Sequence, residues 1–130
     1  MKDHSRVSFA ARVAVVCAIA VAASHCGSSP SSPSGTPDVT ITIGPLGLSP
    51  KEVRIKAQGR VRFVNNDTRP HQITSDPVTI HTDCPAINEV GLLGPGSSGQ
   101  TGALSAVRTC GFHDHNDSDN PRWTGTIQVR

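Results

Sequence analysis

Hydrophobic and polar residues alternate along much of the chain from Asp38 onward. Val39, Ile41 and Ile43 are separated by Thr40 and Thr42; Val53 and Ile55 alternate with Arg54 and Lys56; Val61 and Phe63 alternate with Arg60 and Arg62. Successive side chains of a strand point to opposite faces, so this period of two predicts half-buried strands with one face in water. Gly44-Pro45, Ser49-Pro50 and Gln58-Gly59 lie between them and supply turn chemistry. His71 to Ser75, roughly Gln100 to Thr109, and Trp123 to Val129 are predicted strands as well, and no ten-residue segment carries a helical period. Several short strands with turns between them argue for an all-β domain, an antiparallel sandwich or a small barrel. Phe63, Phe112 and Trp123 are the only aromatics beyond residue 25, so Val, Ile and Leu must fill the core. A domain this small has a modest stability margin and gains from a cross-link or a bound metal.

The first 37 residues have a different character. Lys2, Arg6 and Arg12 precede an apolar run of 11 residues, Val13 to Ala23, which suits the core of an export signal and is too short for the roughly 20 residues that span a bilayer. Residues 1–25 are therefore predicted to be a signal peptide. Residues 26–37 are rich in Ser, Pro and Gly and read as a tether, which leaves 38–130 as the single folded domain. Ser24-His25-Cys26-Gly27 followed by the tether resembles a bacterial lipoprotein signal, with Cys26 as the lipidated residue, although His25 stands where that pattern prefers Gly or Ala; cleavage near Ala22 is the alternative. Both routes place the domain outside the cytoplasm, in the periplasm or at the cell surface, and the first adds a membrane anchor. Net charge changes the picture only by exclusion. The first 25 residues account for the whole formal +2, leaving nine basic and nine acidic residues and no basic stripe for a nucleic acid. A monomer is expected.

Candidate chemistry gathers in Arg108-Thr-Cys-Gly-Phe-His-Asp-His-Asn116, where Cys110, His113 and His115 fall within six residues. His113 and His115 are two apart, so on an extended segment they share a face and could share a metal ion. Upstream, Pro70 fixes the geometry at which His71 begins its strand, and His81 and Cys84 follow near further turn signals. All four histidines of the exported part, His71, His81, His113 and His115, could thus meet at one end of a sandwich. Asp76, Asp83 and Asp114 are candidate partners for their rings or simple turn residues.

These residues resemble the cupredoxins, the copper-binding sandwich proteins related to plastocyanin. The resemblance covers residues 39 to 130: Phe63-x-Asn65 leading to Pro70-His-Gln72, a Pro95-Gly96 turn, Cys110-x-x-His113, and a closing strand Gly125-Thr-Ile-Gln-Val129. It implies a cupredoxin-like antiparallel Greek-key β-sandwich holding one copper ion, with His71, Cys110 and His113 as ligands. No Met follows the signal, and Ser118 stands where plastocyanin-like spacing would put the axial ligand. A bacterial cupredoxin-like branch with a His-Asp-His motif before the last strand is the closer resemblance, and it does not need the cysteine.

Cysteine parity separates the site alternatives. With Cys17 lost in the signal and Cys26 lipidated, Cys84 and Cys110 remain, and an even pair in an oxidising compartment favours a disulfide. Copper would then sit on imidazoles drawn from His71, His81, His113 and His115, a set that also suits zinc. Alternatively Cys110 stays a thiolate ligand with His71 and His113, or His81-x-x-Cys84 joins Cys110-x-x-His113 as a structural zinc site. Gly111-Phe-His-x-His115 resembles a short motif of copper-zinc superoxide dismutases, but Asp114 replaces an apolar residue and no His or Cys follows His115. The sequence is therefore read as a non-enzymatic copper carrier, binder or electron-transfer module with a redox or copper-transfer partner; the other reading is a metal-free sandwich that serves as an interaction domain.

Overall fold

The computed structural model describes residues 35–130; the predicted signal, Cys26 and most of the tether lie outside them. Nine strands form two sheets. The first contains β1 (Val39–Gly44), β2 (Gly47–Ser49), β4 (Val61–Asn65) and β7 (Ser98–Gln100) in the order β2-β1-β4-β7; the second contains β3 (Glu52–Ile55), β5 (His71–Ser75), β6 (Gly91–Leu93), β8 (Thr109–Asp114) and β9 (Thr124–Val129) in the order β3-β9-β8-β5-β6. The alternation read from the sequence is the one the sheets use. Ile41, Ile43, Val53, Ile55, Val61 and Phe63 are buried, while Arg54 and Arg62 between them are exposed. Phe63 of the first sheet meets Phe112 of the second edge to face, with ring centroids 5.2 Å apart, so the two sheets close on one aliphatic and aromatic core.

The sandwich is not antiparallel throughout. Of the seven strand pairings, β1 with β4 and β3 with β9 are parallel, because the chain crosses between sheets after β2 and again after β3 and returns in the same direction. The expected strand over Gln100 to Thr109 also divides. Ser98–Gln100 pairs with β4, residues 101–108 run irregularly with Leu104 bridged to Gly59, and pairing resumes at Thr109. Leu104 is buried and Val107 is 71% exposed. The strand that does form, β8, runs through the His-rich stretch itself.

Between β5 and β6 the chain makes an excursion over residues 76–84 and a short 3₁₀ helix, Pro85–Val90, which buries Ile87 and Val90. Several contacts fix the excursion, four of them at its two ends. Asp76 N donates to Gly111 O at 3.0 Å, Cys84 N donates to Ser75 Oγ at 2.8 Å, Arg108 pairs with Asp83, and Cys84 is disulfide-bonded to Cys110 of β8. The disulfide closes a loop of 26 residues across Cα atoms 5.8 Å apart, for which chain entropy gives a stabilisation of about 3 to 4 kcal/mol. Replacing both Cys84 and Cys110 by Ala should lower the unfolding free energy by roughly that amount in urea titrations. A loss under about 1 kcal/mol would mean that the remaining contacts hold the excursion without it.

Candidate metal centre

Strand β8 sorts its side chains by parity. Cys110, Phe112 and Asp114 face the core, and Gly111 and His113 face outward. Antiparallel pairing with β5 sets Ile73 opposite Asp114 and Thr74 opposite His113, so His71 and Ile73 share the inner face with Asp114, and Thr74 shares the outer face with His113. His71 and His113 therefore enter different environments on opposite sides of one sheet.

On the outer side the 76–84 excursion folds across His113 and buries it. It brings the His81 ring to 5.1 Å from that of His113 and 4.9 Å from that of His115, which begins a one-turn 3₁₀ helix, His115–Asp117, just past β8. One nitrogen from each of His81, His113 and His115 lies within 4.8 Å of the other two. Among the described residues this is the group of three whose donor atoms could converge on one ion. His81 has a left-handed backbone, φ 52°, held by two hydrogen bonds: its Nδ1 donates to Ser75 O at 3.0 Å, and Asn88 Nδ2 donates to the His81 carbonyl at 2.9 Å. Because a carbonyl only accepts, Nδ1 carries the proton and Nε2 keeps its lone pair for a ligand. His115 is exposed, so the group opens to solvent.

On the inner side His71 is clamped between carboxylates. Its Nδ1 is 2.7 Å from Asp114 Oδ2 and its Nε2 is 3.0 Å from Asp67 Oδ2. Both ring nitrogens are thereby engaged. Asn65 shapes the turn that delivers Asp67: its Nδ2 donates to Arg69 O and Leu93 O, and its Oδ1 accepts from Asp67 N at 2.9 Å. Trp123 closes the pocket against the His71 ring at 4.5 Å, with the Arg69 guanidinium 5.5 Å from the indole.

The structure thus brings together His81, His113 and His115 of the predicted ligands, and sets apart His71, which is held by Asp67 and Asp114. Cys110 is in the disulfide with Cys84, and a disulfide sulfur is not a thiolate donor; the thiolate site and the zinc site built on both cysteines fall with it. The physical reason lies in β8. Cys110 and His113 are three apart, and a strand that continues through both must turn them to opposite faces. Asp76 and Asp114 are imidazole partners, whereas Asp83 pairs with Arg108. Asp67 is absent from the candidates named in the sequence, where its i,i+4 spacing to His71 is the available signal.

The hydrogen bond from His71 holds the Asp67 carboxyl below its ordinary range, with Thr68 N, His71 and Arg69 acting in the same direction and burial opposing them. A carboxyl lowered in the folded state stabilises the fold above its unfolded value near 4, and that contribution is lost as pH falls through the lower folded value. Asp67→Asn should therefore destabilise the protein at pH 7, with the difference from wild type shrinking toward pH 3. Urea midpoints at the two pH values check this; an equal difference at both would show that Asp67 acts through packing and not through its charge.

No protein-family model matches the chain, and no curated protein matches it in sequence. Solved structures do match it in shape. The purple cupredoxin from Nitrosopumilus maritimus is 19% identical, covers 72% of this chain and 100% of its own, and superposes with a TM-score of 0.54. Plastocyanin from Dryopteris crassirhizoma is 17% identical over 70% of this chain and 99% of its own, TM-score 0.55. Auracyanin from Roseiflexus castenholzii is 22% identical over 71% of this chain and 95% of its own, TM-score 0.52. At these identities the likeness speaks for the fold, and it agrees with the two-sheet architecture and the closing strand described above: the chain has a cupredoxin-like fold.

Proposed function

We propose that this protein is an exported copper-binding protein that holds one Cu(II) ion on the imidazoles of His81, His113 and His115 and serves as a copper carrier or store. The convergence of three imidazoles from two separate segments, with both nearby sulfurs locked in a disulfide, carries this reading. Three neutral nitrogen donors suit Cu(II), which such ligands bind more tightly than other divalent first-row metals, and the cupredoxin-like fold points to copper over zinc. Copper would supply a positively charged centre here; the protein's part is to present three lone pairs and leave the His115 side open to solvent, as loading and transfer of an ion require. A thiolate-based electron-transfer centre lacks its sulfur. Export through residues 1–25 and membrane anchoring through a lipidated Cys26 belong to the same proposal, since they would put the site where disulfides persist and copper is met.

His81→Ala, His113→Ala and His115→Ala should each weaken Cu(II) binding by at least about tenfold in chelator competition, the scale that loss of a supporting partner alone reaches at a metal site. His71→Ala should leave copper affinity within about twofold while lowering the thermal midpoint by more than about 4 °C, because it strips the two inner carboxylates of their partner. The loaded protein should be pale, without the intense charge-transfer colour of a copper thiolate. Copper lost only in His71→Ala, or a deep blue protein, would overturn the three-imidazole site. For the anchor, mass spectrometry of the mature protein should find a lipidated Cys26 at its N-terminus; an unmodified N-terminus near Ser24 would refute it.

A further inference from the structure

His113 has different neighbours at its two ring nitrogens. Nδ1 lies 2.6 Å from Asp76 Oδ1, and Nε2 lies 3.1 Å from Thr74 Oγ1. An ionised carboxylate only accepts, so in the neutral ring the short contact keeps the proton on Nδ1 and leaves the lone pair on Nε2. The Thr74 hydroxyl can donate to that lone pair and rotate away when an ion takes its place. His81 is set in the same sense by the Ser75 carbonyl. A carboxylate and a carbonyl thus turn two imidazoles from opposite segments to the same tautomer.

Asp76 can take this position because of Gly111. That residue sits two before His113 on the outward face of β8, and a Cβ built there would collide with Asp76 Oδ2 and crowd its Cγ at 2.9 Å. The Gly111 backbone lies outside the left-handed region, so the conformation would accept any residue; what needs glycine at 111 is the space for a carboxylate. The backbone bond from Asp76 N to Gly111 O at 3.0 Å holds the two residues in register.

We propose that Asp76 is a positioning residue of the metal centre: seated over Gly111, it fixes His113 as the Nδ1-protonated tautomer and so presents Nε2 to the ion. The proposal rests on the copper reading for its metal arm but not for its tautomer arm. Loss of a carboxylate that orients a ligating imidazole weakens metal binding about 10- to 100-fold. Gly111→Ala should act as Asp76→Ala does, by pushing the carboxylate off His113.

The test combines two measurements on the wild-type protein, Asp76→Ala, Asp76→Asn, Gly111→Ala and the Asp76→Ala/Gly111→Ala double variant. Nitrogen NMR of the metal-free proteins reads the His113 tautomer, and chelator competition reads Cu(II) affinity. The wild type should show a single Nδ1-protonated His113. Asp76→Ala and Gly111→Ala should each lose that single tautomer and bind copper about 10- to 100-fold more weakly. Asp76→Asn, whose amide oxygen still accepts the proton, should lose less. The double variant should be no worse than Asp76→Ala alone, since both substitutions remove one interaction. An unchanged tautomer in Asp76→Ala would overturn the proposal, as would full copper affinity in that variant. A wild type that binds no copper would sink the copper reading, and the NMR measurement would then decide the role of Asp76 by itself.

Discussion

The Cys84–Cys110 disulfide is the constraint on which the site depends. It pins the end of the 76–84 excursion to the inner face of β8, three residues beyond His81 and three before His113. Without that tie, bringing a loop imidazole against a strand imidazole would carry the full ordering entropy of the excursion. The same bond decides the chemistry. By consuming Cys84 and Cys110 it leaves, among the described residues, imidazole nitrogens as the donors that converge there.

Two carboxylate–imidazole arrangements occupy the two faces of the second sheet, and they use the same groups to different ends. Inside, Asp67 and Asp114 engage both nitrogens of His71 under Trp123, so the ring is a structural strut with no nitrogen left for a ligand. Outside, Asp76 engages one nitrogen of His113 and leaves the other to a hydroxyl that can yield. The two rings thus differ in their partners: carboxylates at both nitrogens of His71, and a carboxylate at one nitrogen and a hydroxyl at the other for His113. Asp114 contributes a further economy. It receives Gln72 N and Asn116 N on Oδ1 while Oδ2 faces His71, so the residue between the two outward histidines holds the strand end and the inner clamp together.

Much of the fold was legible along the chain. The alternation in residues 39–43, 53–56 and 60–63 is a local property of strands with one face buried, and each appears as read. The disulfide follows from parity, whereas the even spacing of His113 and His115 assumes an extended segment that ends at Asp114, and His115 begins a 3₁₀ turn. The strand expected over Gln100 to Thr109 divides, because residues 101–108 pair only through the Leu104–Gly59 bridge and the ladder resumes at Thr109.

What the sequence determined by itself is what local chemistry can determine: strand periodicity, turns, the pairing of two leftover cysteines and the set of residues able to hold a metal. Which histidines meet was decided only in three dimensions. Cys110 and His113 fall on opposite faces once β8 runs through both, and the β5–β8 register then sends His71 inward to Asp114 and leaves His113 outward beneath His81. Asp76 acquires a partner 37 residues away by the same register, whereas Asp67 meets His71 four residues on through the turn that Asn65 shapes. A shift of one residue in that pairing would exchange the faces of every side chain on the strand, and no pattern along the chain encodes it as firmly as the hydrogen bonds between strands do.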